Sequence, residues 1–261
     1  MRALQIAATG MSAQQLRVEV ISNNLANMST NAFDPRRAEF VDLPYQQKAR
    51  PGTITAADGS VLPTGVQIGL GVRPGAVSVI DRQGALSETG NDFDLAIEGA
   101  GFLEVTLPNG RAAYTRDGAL KLDGEGRLVT SDGHAVAPGI TVPSDAKRVA
   151  IDAEGEVFAF FADQVEPQRL DVIDLTGFTN PKGLEAIGSN LFVETGASGP
   201  PLVAAPGEDG LGTLRQGYLE ESGVDAVRQI TQLIEAQRGY EMNSKVITAA
   251  DQMLAATSQL R

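Results

Sequence analysis

Two heptad stripes, one at each end of the chain, flank a middle with a different period, and this contrast constrains the fold most. Leu4, Met11, Val18 and Leu25 recur every seven residues, and Ala7, Ile21 and Met28 fall three residues after members of that series, with Gln14 as its polar interruption. The spacing predicts an amphipathic helix over 3–28, about 39 Å long at 1.5 Å per residue. The polar run Asn27, Ser29, Thr30, Asn31 and then Asp34-Pro35 ends it. At the other end Leu233, Tyr240, Ile247 and Leu254 repeat by seven, flanked by Ile230, Ala236 and Ala250. This predicts a helix over 224–259, about 54 Å long, with Ser222 as its N-cap. Gln237, Ser244 and Asp251 occupy the companion positions, so the stripe is narrow and polar for a helix that must make its own core. Two arrangements would satisfy such stripes: an antiparallel hairpin, or packing against the same helices in other copies. A bare pair leaves much apolar edge uncovered, so self-assembly is expected.

Between the helices the pattern changes to short strands. Asn109-Gly110, Asp117-Gly118, Asp123-Gly124 and Asp132-Gly133 punctuate runs such as 102–105, 119–122 and 127–130, a hairpin signature. The expected class is α+β, an all-β centre with long terminal helices. The expected divisions are a helical domain of 1–30 with 224–261, an extended segment over 31–68, and a β-rich domain over 69–223. Residues 44–67 are rich in Pro, Gly, Thr and Ala without a sustained period, and read as a linker.

Composition narrows the function. Lys plus Arg total 21 against 33 for Asp plus Glu, a net charge of −12, so a basic footprint for nucleic acid is absent. With Cys 0 and His 1, thiol nucleophiles, disulfides and Cys-based zinc sites are excluded. No cofactor or metal is expected. No window approaches the roughly 18 apolar residues of a membrane span, and the N-terminus lacks the continuous apolar stretch of a cleavable signal.

Ser22-Asn23-Asn24-Leu25-Ala26-Asn27, followed by Thr30 and Phe33, resembles the motif that closes the first helix in the axial proteins of the bacterial flagellum, the rod and hook family. The order of further segments is similar to distal-rod members: Leu62 to Val72, Ala113 to Gly118, Gln216 to Glu220, Glu235 to Glu241 and Asn243 to Leu254. This chain departs at Ala32 and Asp34, where the family often has Gly and Lys, and at Gly223, where it usually has Asn. The resemblance implies a structural subunit that polymerises into a hollow helical tube. Paired terminal helices would form the inner layer and the β-domain the outer one. Implied partners are further copies, proximal rod proteins, the hook protein, the P and L rings and the flagellar type III export apparatus. The implied location is the periplasmic rod, reached without a cleaved signal. Export in an unfolded state suits a chain without cysteines. The resemblance places subunit contacts at Leu4, Met11, Val18, Ile21, Asn23, Asn24, Leu25, Asn27, Ile230, Leu233, Gln237, Tyr240, Ser244, Ile247 and Leu254. It places a rod-stiffening segment around Gln46, Pro51, Leu62, Pro63 and Gln67.

Plainer readings stand beside these. The three asparagines could instead satisfy the helix terminus. His134 follows a turn and has no ligand partner at metal spacing, and Gly99 and Gly101 read as a turn rather than a phosphate loop. Asp92, Asp94 and Glu98 are the local carboxylates that a secreted, carboxylate-dependent glycan hydrolase would need, although a solvated strand edge explains them as well.

Overall fold

Helix α1 (Arg2–Ala26) and helix α2 (Ala226–Gln259) form where the heptads place them. The computed structural model describes residues 2–52, 64–162 and 166–259. The N-cap of α2 is Asp225 rather than Ser222. The Asp225 Oδ1 accepts the Arg228 N–H at 3.1 Å and its carbonyl accepts the Gln229 N–H at 3.0 Å. Ser222 sits earlier, its Oγ accepting the Val224 N–H at 3.4 Å.

The chain divides into two compact units. The first gathers α1, α2 and the described part of 36–80; the second comprises 27–35 and 81–224. In the first unit, strand β1 (Arg36–Asp42) is followed by β2 (Tyr45–Ala49), β3 (Val66–Gly69) and β4 (Val72–Val79). Strand β1 pairs antiparallel with β4 from Arg36↔Val79 to Asp42↔Val72, with a bulge at Glu39/Phe40, and β2 pairs with β3. Residues 44–67, which carry no sustained period, hold β2 and the start of β3, and side chains exposed along most of both strands explain the lack of apolar alternation. The β1–β4 ribbon is fastened to α1. The Val72 N–H donates to Thr9 Oγ1 at 3.3 Å, and Gly71 has φ 118°, where a Cβ would strike the Thr9 side chain.

The second unit is a set of antiparallel strands. Short β5 (Leu86–Glu88) and β6 (Leu95–Glu98) precede β7 (Phe102–Thr106), β8 (Ala112–Thr115), β9 (Lys121–Leu122), β10 (Leu128–Val129) and β11 (Ala135–Val136). Strands β12 (Ala146–Ile151), β13 (Glu156–Phe161) and β14 (Gln168–Val172) form a three-stranded sheet, and β15 (Leu175–Gly177) returns to pair with β7. After them come β16 (Glu185–Gly188), β17 (Leu191–Val193), β18 (Leu202–Ala204), β19 (Thr213–Gln216) and β20 (Tyr218–Glu220). The main sheet runs β16-β17-β8-β7-β11-β10-β9, while β19 pairs with β6 and β20 with β5. Its core is aliphatic, with Leu95, Ile97, Leu103, Val105, Val157, Ile173 and Leu175 all fully buried.

Three of the four expected hairpin turns form, at Asn109-Gly110, Asp123-Gly124 and Asp132-Gly133, each joining strands that pair. Asp117-Gly118 does something else. Gly118 lies so close to β6 that an added Cβ would overlap the Leu95 carbonyl, and its own carbonyl accepts the Leu95 N–H at 3.0 Å. The glycine there serves close backbone approach rather than a turn.

Within this unit, residues 27–35 are hooked onto β20. The Ala32 N–H donates to the Glu220 carbonyl at 2.9 Å, and the Gly223 N–H to the Phe33 carbonyl at 3.0 Å. Asn190 Nδ2 donates to the Asn31 carbonyl at 3.2 Å. Ala32 takes φ 50°, the left-handed conformation that glycine adopts most readily. Beneath the hook lies a buried ion pair: Arg116 Nη2 is 2.9 Å from Glu220 Oε2. Arg116 also donates to the carbonyls of Gly101 and Gly99 at 2.9 and 3.0 Å, and Glu220 Oε1 accepts the Gly84 N–H at 2.9 Å. Both charges are thereby hydrogen-bonded, the condition on which a buried pair is tolerated.

Candidate functional site

The helix pair of the first unit is built on small residues. Gly10 lies against Asn243, Gly239 against Gln14, Arg17 Nη2 is 3.4 Å from Glu235 Oε2, and Asn24 Nδ2 donates to Gln229 Oε1 at 3.3 Å. These contacts run antiparallel along both helices. On α2 the inward row is Gln229, Ala236, Asn243 and Ala250, again spaced by seven, with Ala236 fully buried. On α1, Ala7, Ala13, Ile21 and Asn24 are buried. Glycine and alanine at the seam let the backbones approach closely, so pairing covers few large side chains.

The row expected on α1 therefore lies at the edge of the pairing. Leu4, Met11, Val18 and Leu25 are half-buried, whereas Ile21 is buried. On α2, Leu233 and Ile247 are half-buried, and Ile230, Gln237, Tyr240, Ser244 and Leu254 are exposed. Val18, Gln237 and Tyr240, with Gln15 and Glu241, line an open groove of about 370 Å³ between the helices. Gln46 and Gln67 are exposed on the β2–β3 ribbon and Pro51 is exposed in a turn, while Leu62 and Pro63 lie outside the described residues.

Asn23 is exposed and Asn27 half-buried, but Asn24 is committed inside the subunit. Its Nδ2 donates to the Arg36 carbonyl at 2.8 Å and its Oδ1 accepts the Arg36 N–H at 2.8 Å. One amide thus ties the last turn of α1 to the first residue of β1 and, through Gln229, to α2. The sequence reading grouped it with the contact asparagines.

Besides Ile230, expected above as a contact, larger apolar residues that the heptad reading did not include stand outside the pairing. Val227, Ile230 and Ile234 occupy one side of α2, with Val227 76% exposed; Met242, Val246 and Met253 occupy another, with Met242 62% exposed. At 3.6 residues per turn the two groups sit roughly 100° apart round the helix. Their spacings of three and four were visible in the sequence beside the more regular seven-residue row.

The acidic candidates do not form an acid/base pair. Asp94 is buried, its Oδ2 accepting Thr89 Oγ1 at 2.6 Å and its Oδ1 accepting Asn91 Nδ2 at 2.9 Å, so it braces a turn instead of lying on a solvated edge. Glu98 is 3.5 Å from Arg215, and Asp92 contributes its carbonyl to Gln216 Nε2 at 2.7 Å.

Comparison with known proteins gives the same picture along the whole chain. Residues 4–33 match the model "Flagella basal body rod protein", 96–159 the "Flagellar hook protein FlgE/F/G D1 domain", and 215–260 the "Flagellar basal body rod FlgEFG protein C-terminal". The chain is 54% identical over 261 residues to the flagellar basal-body rod protein FlgG of Caulobacter vibrioides, covering 100% of both chains. It is 46% identical over 259 residues to that of Agrobacterium fabrum, covering 99% of each. Against that of Borreliella burgdorferi it is 45% identical over 263 residues, covering 100% of this chain and 99% of the relative. With end-to-end similarity at these levels, the chain belongs to the FlgG family of flagellar basal-body rod proteins, whose members are structural subunits and not enzymes.

Proposed function

We propose that this chain is a subunit of the distal rod, polymerising into a rigid hollow helical shaft that carries torque to the hook and conducts exported subunits. On this reading it crosses the cell envelope through the flagellar type III export apparatus. In the periplasm it would meet proximal rod proteins below and the hook protein above, and turn within the P and L rings. The observation that carries self-assembly is the helix pair itself: the seam consumes Gly and Ala and leaves Val227, Ile230, Ile234, Met242, Val246 and Met253 exposed. Burying the remaining half of an Ile or Met side chain is worth roughly 1 kcal/mol, so two such stripes per subunit supply several kcal/mol to a contact between copies.

The two stripes lie on different sides of one helix. A two-fold dimer matches a patch with itself, whereas two different patches favour a heterologous contact that repeats without closing, the geometry of a filament. The predicted contacts at Leu4, Met11, Val18, Tyr240 and Leu254 would flank these stripes. The segment holding Gln46, Pro51, Leu62, Pro63 and Gln67 would stiffen the shaft by packing on adjacent copies.

The double substitution Ile230→Glu with Ile234→Glu tests this. The full chain should keep its monomer circular dichroism and sedimentation but fail to polymerise, and cells carrying it should be non-motile. Wild-type rods and motility from the variant would overturn the assignment of this face.

A further inference from the structure

The negative charge of this chain is confined to one of its two compact units. The first unit, residues 1–26, 36–80 and 225–261, holds 11 basic residues against 8 acidic, a net +3; the second, 27–35 and 81–224, holds 10 against 25, a net −15. Most of the positive excess lies in 36–80, where Arg36, Arg37, Lys48, Arg50 and Arg73 stand against Glu39, Asp42 and Asp58. The β1–β4 register sorts these charges by face, since directly paired residues point the same way. Arg37 lies opposite Ser78, Glu39 opposite Ala76 and Val41 opposite Arg73. Glu39 Oε1 accepts Ser78 Oγ at 2.7 Å and is 3.1 Å from Arg37 Nη2, which fixes these three on one face. Along β1, Arg37, Glu39 and Val41 are exposed while the alternate residues Ala38 and Phe40 are half-buried; across from them Arg73 is exposed and Val41 is 43% exposed. The exposed face thus offers two guanidinium groups and an apolar side chain on paired strands, charge to select a partner and area to bury against it.

We propose that this face of the β1–β4 ribbon docks on the acidic second unit of another copy of the chain, with Arg37 and Arg73 meeting carboxylates and Val41 buried beside Arg73. The inference rests on the self-assembly proposed above and names what the segment 36–80 packs against. Charge complementarity selects the occupant. The first unit of another copy is itself positive, whereas the second presents a net −15, with Asp81, Glu88, Asp92, Glu154, Asp171 and Glu185 among its exposed carboxylates. Second units repel one another, and a basic ribbon set against each of them offsets the charge that accumulates along a polymer.

The critical concentration for polymerisation of the full chain, measured by sedimentation in about 0.1 M and about 1 M salt, tests this. Losing two exposed ion pairs predicts a rise of roughly fivefold for Arg37→Gln with Arg73→Gln at the lower salt. The ratio to wild type should fall to near one at the higher salt, where the screening length shrinks from about 10 Å to about 3 Å. Arg37→Lys with Arg73→Lys keeps both charges and should stay within about twofold of wild type. Val41→Glu, which leaves the arginines in place, should raise the critical concentration in the same salt-dependent way. A glutamine variant that polymerises like wild type at low salt, a defect undiminished at high salt, a lysine variant as impaired as the glutamine one, or an unaffected Val41→Glu overturns the proposal. If wild type polymerises and Ile230→Glu with Ile234→Glu does not, such a result removes the ribbon contact alone; a wild type that stays monomeric removes self-assembly and the ribbon contact together.

Discussion

Replacing Asn24 by Ala separates a residue that holds the subunit together from one that joins subunits. In the structure its amide makes three hydrogen bonds, two with Arg36 at 2.8 Å and one with Gln229 at 3.3 Å, from a position that is 1% exposed. A typical intramolecular hydrogen bond contributes about 1 kcal/mol net, and leaving a buried partner unsatisfied costs about 1–3 kcal/mol. Gln229 is buried and suffers that loss, whereas the Arg36 backbone is half-buried and is partly rehydrated. Alanine returns roughly 0.5 kcal/mol of helix propensity. The expected net destabilisation is about 2–3 kcal/mol. Urea unfolding of the monomer, followed by helical circular dichroism at a concentration below polymerisation, measures it. A cycle with Gln229→Ala should return a coupling near 1 kcal/mol. If Asn24→Ala leaves the monomer within about 0.5 kcal/mol of wild type but prevents polymerisation, the intrachain assignment is wrong.

Arg116→Met should cost about 3–5 kcal/mol, because it strands the Glu220 carboxylate in a buried site; adding Glu220→Met should restore much of the loss, as read by thermal unfolding. Ala32→Val forces a β-branched residue into a left-handed backbone and should cost about 1–2 kcal/mol more than alanine. Ala32→Gly should be neutral or stabilising by up to about 1 kcal/mol, both from denaturant midpoints.

Much of the fold could be read locally. The terminal helices were visible because seven-residue recurrence survives polar interruptions, and three of the hairpins because Asn-Gly and Asp-Gly mark their turns, the glycine with positive φ being Gly110, Gly126 and Gly133. The β2–β3 pairing was not visible, since strands exposed along most of their length carry no apolar period. The turn reading of Gly118 failed for a related reason: what requires glycine there is the Leu95 carbonyl, a neighbour from another strand.

The candidate site divides along the same line. The sequence by itself determined that two amphipathic helices end the chain, that thiol nucleophiles and Cys-based zinc sites are excluded, and that the first helix closes with an asparagine-rich motif. Only the tertiary structure decided which side of each helix is spent. Inward packing selects for close approach, so the seam took Gly10, Ala236 and Gly239 and left larger apolar residues outside. Asn24 turned inward while Asn23 faced solvent, because at 100° per residue adjacent helical positions look in different directions and only the partner elements determine which is buried.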